Sequence, residues 1–86
     1  MQFHYRQQVL EQLEQHGVRP MSTTPPELLH DFVSDLYRFE LRRLRKRYVR
    51  GEIKSLDYSG HVIALRKKYL LVSVPVGRWV LPQNAS

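Results

Sequence analysis

Residues 37–48 read Tyr-Arg-Phe-Glu-Leu-Arg-Arg-Leu-Arg-Lys-Arg-Tyr, and residues 58–69 read Tyr-Ser-Gly-His-Val-Ile-Ala-Leu-Arg-Lys-Lys-Tyr. Tyr37, Leu41, Leu44 and Tyr48 in the first stretch, and Tyr58, Val62, Leu65 and Tyr69 in the second, share the spacing i, i+4, i+7, i+11. At 3.6 residues per turn each set lies along one side of a helix. Gly51, between the two stretches, suits the left-handed residue that follows a helix end. Folding the chain back there sets Tyr48 against Tyr58, Leu44 against Val62, Leu41 against Leu65 and Tyr37 against Tyr69. The pattern predicts an antiparallel helical hairpin in that register.

Working outward, the first helix of the hairpin extends back to Glu27, since no breaker interrupts residues 27–50. Thr24 followed by Pro25, Pro26 and Glu27 is a helix-start signature, with Thr24 as cap and a proline in the first turn. Glu27, Asp31 and Asp35 near the start and a crowd of basic residues near the end match the helix dipole. The second helix of the hairpin runs from Ser55 or Asp57 to about Tyr69, with Gly60 inside it costing about 1 kcal/mol relative to Ala. An earlier helix is predicted over residues 3–16, where Phe3, Val9, Leu10 and Leu13 share a face and Gly17 ends the pattern. The prolines and hydroxyl residues of 17–26 make the connection a loop.

After the hairpin, Val72, Val74 and Val76 alternate with Ser73 and Pro75, an extended pattern that the proline confines to an edge strand or a docked tail. Gly77 turns the chain before Trp79, and residues 83–86 are expected to fray. The predicted fold is thus mainly α. It is a three-helix single domain over residues 1–86, with an antiparallel hairpin of the second and third helices and an extended C-terminal tail or short edge strand. A second apolar stripe on the long helix, Leu28, Leu29, Phe32, Leu36 and Phe39, is turned away from the Tyr37 seam. The first helix is expected to cover it, with Phe39 as its last core residue. Failing that cover, a second copy must supply it and a homodimer follows.

Eighty-six residues, 42% hydrophobic and 26% charged, suit one small globular domain and not a disordered chain. Without cysteine there is neither a disulfide framework nor a thiolate site. His4, His16, His30 and His61 have no metal-ligand spacing, so no metal and no cofactor is expected. No apolar run approaches the ~20 residues that span a bilayer, and the first residues lack the basic and apolar blocks of a secretory signal, so a cytoplasmic location is expected. Glycine-rich phosphate loops, nucleophile elbows and paired catalytic carboxylates are absent from the sequence, and no catalytic residue is assigned. The reading is of a protein that binds and does not catalyse.

Charge indicates what it binds. Residues 1–36 hold two basic and five acidic groups, net −3, whereas residues 37–86 hold twelve and three, net +9. Seven of the twelve fall within residues 38–50, six of them arginine, whose planar fork suits phosphate and carboxylate. Arg42, Arg43, Lys46, Arg47 and Arg50 are the expected contacts to an anionic partner, either a nucleic-acid backbone or an acidic protein surface. Arg66, Lys67 and Lys68 could widen that patch, and Phe39 among them could stack on a base. The alternative is a structural homo-oligomer whose self-interface is Phe39, Trp79 and the valine tail. A membrane-surface role ranks below both, although basic amphipathic helices also bind anionic lipid.

Residues 41–70, centred on Gly51-Glu-Ile with Asp57 and Tyr58 beyond, resemble the short helical hairpin modules called SHOCT. Those read as a leucine-rich helix, a Gly-Glu/Ile-Ile-Thr turn and an acidic residue before an aromatic. Here Lys54 and Ser55 replace the usual threonine, and the extra basic residues and valine-rich tail depart from the pattern. The resemblance implies an interaction or oligomerisation module and carries over no catalytic residue.

Overall fold

Residues 2–82 are described in the computed structural model. Helix α2, Pro26–Val49, is the spine of the molecule. It begins on Pro25 without a side-chain cap. Thr24 instead organises the preceding loop: its hydroxyl accepts the Met21 N–H at 3.0 Å, and its carbonyl accepts the Tyr5 phenol at 2.6 Å. Consecutive prolines lack N–H groups, so the helix start has fewer donors for a cap to satisfy.

At the other end Gly51 takes φ +79°. The Gly51 N–H bonds the Tyr48 carbonyl at 3.0 Å and the Glu52 N–H bonds that of Arg47 at 2.9 Å, the paired hydrogen bonds of a Schellman cap. Ile53 is buried in the turn that follows, and α3, Ser55–Lys68, returns along α2. The predicted register holds at both ends of the hairpin: the Tyr48 and Tyr58 ring centroids are 4.5 Å apart, and those of Tyr37 and Tyr69 are 5.7 Å apart.

Helix α1 is shorter than its sequence pattern, spanning Gln7–Gln15. Residues 3–6 are extended, and their side chains alternate between half-buried Phe3 and Tyr5 and exposed His4 and Arg6. Their backbone pairs with distant chain. The Arg6 N–H bonds the Trp79 carbonyl at 2.9 Å, the Leu81 N–H bonds the His4 carbonyl at 2.7 Å, and Tyr5 and Val80 form an isolated antiparallel bridge. Phe3 therefore belongs to this paired segment and not to the face of α1. Gly17, at φ +75°, closes α1 as predicted, with the Val18 N–H reaching back to Leu13 at 2.9 Å.

The tail does most to complete the core. In place of an alternating strand, residues Leu70–Ser73 and Val76–Arg78 form two 3-10 turns, and the edge pairing falls further on, at Val80. Pro75 supplies no N–H for a ladder, whereas the Trp79 indole N–H reaches back to the Val74 carbonyl at 3.0 Å. Trp79 is fully buried, as are Leu13 and Val33, and with Val9, Leu29, Tyr69 and Leu71 they form the core. This core occupies the end of the molecule where α1, the start of α2 and the tail meet. The opposite end is the bare two-helix arm around Gly51.

One packing expectation is corrected. Val9 and Leu13 of α1 share one core cluster with Leu29 and Val33 of α2, which the tail turns cover, and Leu28, Phe32 and Phe39 are left exposed. Phe39, 53% exposed, is not part of the core. The core that α1, Trp79 and Leu71 build is centred on Val33, and by 100° per residue Leu28, Phe32 and Phe39 lie roughly 100–140° around the helix from it. Trp79 fills the gap beside α2 and is not available to a partner. The expected fraying of residues 83–86 lies outside the described residues.

Candidate anion-binding surface

The five predicted contacts, Arg42, Arg43, Lys46, Arg47 and Arg50, all lie on the C-terminal half of α2 and are all exposed. Three ion pairs occur among the described residues: Arg19 with Glu14 at 3.1 Å, Arg38 with Asp35 at 3.3 Å and Lys68 with Glu40 at 3.2 Å. None involves the predicted five. No carboxylate among the described residues lies within ion-pair distance of them, although Glu40 lines the same groove as Arg43 and Arg47.

The helix divides the five into two rows. Arg42, Lys46 and Arg50 follow at intervals of four residues, about 6 Å of rise each, beside a hollow of about 300 Å³ that also takes in Arg45 and Val49. Arg43 and Arg47 lie next to that row around the helix and border a groove of about 350 Å³ between α2 and α3. Leu44 and Leu65 contribute to its apolar lining, while His61 and Lys68 join from the α3 side. Phe39 stands one turn before Arg42 and Arg43, with the Arg43 guanidinium carbon 5.9 Å from its ring centroid. Of the widening residues expected on α3, Lys68 enters the groove and Arg66 borders a separate hollow beside Tyr37 and Val72.

One polar cluster at the inner end of the groove has no counterpart in the sequence reading. Burial by itself would raise the Glu40 carboxyl, but the Tyr69 phenol, the Lys68 ammonium and the His16 imidazole more than offset this and hold it below its ordinary range. The same geometry, with burial first and the Glu40 carboxylate second, pushes the Tyr69 phenol up to about 12. His16 stacks on Tyr69 with ring centroids 4.5 Å apart and planes 9° from parallel. These four residues come from the end of α1, the middle of α2 and the end of α3. No local motif could join them, and the only sequence signal was the predicted Tyr37–Tyr69 pairing. His61 was likewise missed, because a lone histidine on a helix carries no spacing signal.

His30, one of the four histidines without ligand spacing, packs against the tail. Its Nε2 lies 3.3 Å from the Val72 carbonyl and its ring centroid 5.5 Å from that of Trp79. Among the described residues no three His, Asp or Glu side chains gather as metal ligands, and no helix is long and apolar enough to cross a membrane. No protein-family model, curated protein or solved structure matches the chain.

Proposed function

We propose that this chain is a non-enzymatic interaction module whose basic α2 binds an anionic partner, and that the partner is the backbone of a single-stranded nucleic acid. The observation that carries the reading is an exposed phenylalanine set among five cations without carboxylate partners. Such a surface combines phosphate contacts with a flat apolar ring on which any base can stack. The two rows of cations are spread along and around the helix, which suits an extended polyanion more than a compact one. The resemblance of residues 41–70 to SHOCT modules agrees with an interaction role, and a chain without cysteine suits the reducing cytoplasm.

Fluorescence anisotropy with a labelled single-stranded oligonucleotide, a duplex of equal length and polyglutamate, all at low salt, tests this reading. The single strand is expected to bind most tightly, and Phe39→Ala to cost about 1–3 kcal/mol of that affinity. Tighter binding of polyglutamate, with Phe39→Ala silent, identifies an acidic protein surface as the partner instead. Failure of all three ligands contradicts the interaction module.

A further inference from the structure

One side of α2 is exposed from end to end. The core packs on its Val33 side and α3 on its Leu44 and Tyr48 side. At 100° per residue Leu28, Phe32, Phe39 and Val49 lie at least about 100° around the helix from both. All four are open to solvent: Leu28 is 62% exposed, Phe32 46%, Phe39 53% and Val49 74%. With Asp35, Arg42 and Lys46 they occupy positions 28, 32, 35, 39, 42, 46 and 49, the alternating steps of four and three that make a helix–helix seam. Charge divides this seam at Phe39. Residues 27–36 hold Glu27, Asp31 and Asp35 with no Lys or Arg, net −3, whereas residues 41–50 hold six basic groups and no acid, net +6.

We propose that this side pairs with the same side of a second copy of the chain, α2 against α2, antiparallel about a two-fold axis at Phe39. Charge selects that occupant. Each acidic segment then lies along the basic segment of the other copy, whereas a parallel pair sets the two +6 segments side by side and aligns the helix dipoles unfavourably. The pairing draws on groups that the single chain leaves free. Asp31 and Lys46 are both exposed, and neither belongs to an ion pair among the described residues. The axis brings each Asp31 within one residue's rise of Lys46 of the other copy. It also sets Phe39 on Phe39, carries Leu28 to Val49 and lays the aliphatic stem of Lys46 over Phe32. Asp35 keeps its own Arg38, 3.3 Å away.

A contact over residues 28–49 is about 32 Å long and belongs to the small, transient class of interfaces, below about 1,200 Å². It takes Phe39, Arg42 and Lys46, which the proposed polyanion site also uses, so self-pairing and single-strand binding exclude one another. The pairing stands by itself; only the exclusion rests on that reading of the site.

Sedimentation equilibrium of the full chain from about 10 µM to 1 mM tests the pairing, in the range where small interfaces associate. It is run in about 0.1 M salt, which screens the repulsion between two chains of net charge +6 beyond about 10 Å. The expected result is a reversible monomer–dimer equilibrium. Asp31→Lys and Lys46→Asp each loosen it about tenfold, because every dimer holds the contact twice, and an equimolar mixture of the two variants recovers the parental affinity. Both side chains are exposed, so the helical circular dichroism of each variant is unchanged. Ile63→Glu, on the outer side of α3, leaves association intact. A labelled single-stranded oligonucleotide dissociates the dimer as it binds. An oligonucleotide that does not bind contradicts the proposed function, and the pairing is then decided by the variants alone. A monomer throughout the range, a mixture no tighter than its components, or an oligonucleotide bound without loss of the dimer overturns the proposal.

Discussion

Gly51 and Gly60 are one residue type under opposite demands. Gly51 holds φ +79° so that two hydrogen bonds can close the end of α2. Ala at this site meets no atom within 4 Å, so its cost is that of the left-handed backbone alone, about 1–2 kcal/mol, read as a lower urea midpoint. Gly60 is ordinary helix with open space beside it, and Gly60→Ala is expected to raise the same midpoint by about 0.5–1 kcal/mol. Trp79, fully buried with its indole N–H on the Val74 carbonyl, is the costliest single truncation. Trp79→Ala removes about 3–5 kcal/mol, enough to unfold many domains of this size.

The Glu40 and Tyr69 pair makes stability depend on pH at both limits. A carboxyl held below its ordinary 4.5 stabilises the fold above that value, and this contribution is lost as pH falls through the lowered one. A phenol raised from 10.0 to about 12 stabilises the fold while protonated, and this contribution is lost as pH rises across that interval. Urea titrations are therefore expected to show Glu40→Gln less stable than the parent at neutral pH, with the gap closing in acid. Tyr69→Phe is expected to flatten the alkaline loss between pH 10 and about 12.

Among the elements, the hairpin was legible because its determinants are periodic and local. Two seams of identical spacing and one glycine sufficed to place Tyr48 on Tyr58 and Tyr37 on Tyr69. The start of α1 was not legible, because Phe3 fits a helical stripe as well as it fits an extended segment. Its conformation is decided by backbone bonds to Trp79 and Leu81, more than seventy residues away. The valine tail misled for a related reason: alternation signals a strand only where a neighbour can accept the ladder. Of the binding surface, the five α2 cations were legible as a charge run, whereas His61 and the His16–Glu40–Tyr69 cluster exist only after folding.

The two parts of the hairpin also differ in support. Near the core α2 is covered by the tail and shares a cluster with Val9 and Leu13 of α1, while the distal arm rests on Leu44, Ile53 and the Tyr48–Tyr58 pair. Hydrogen exchange is expected to open the amides of residues 45–62 before those of residues 9–13 and 29–37. Equal protection of both groups contradicts this view of the arm.

At the scale of the whole molecule, the chain is a rod of 57 × 17 × 16 Å. Its radius of gyration is 15.9 Å, against about 12 Å for a compact chain of this length. The acidic residues 11–35 lie largely at the core end and the cations of residues 42–54 lie on the arm, so elongation carries those arginines away from most of the molecule's own carboxylates. That separation keeps the cationic surface available to a polyanion and directs encounter toward the arm. The most direct test is the salt dependence of single-strand binding. Five phosphate contacts predict a slope of log K against log salt near about −3.5, made shallower by about 1.4 in the Arg43→Gln, Arg47→Gln double variant. Affinity indifferent to salt, or an unchanged slope in that variant, contradicts the account.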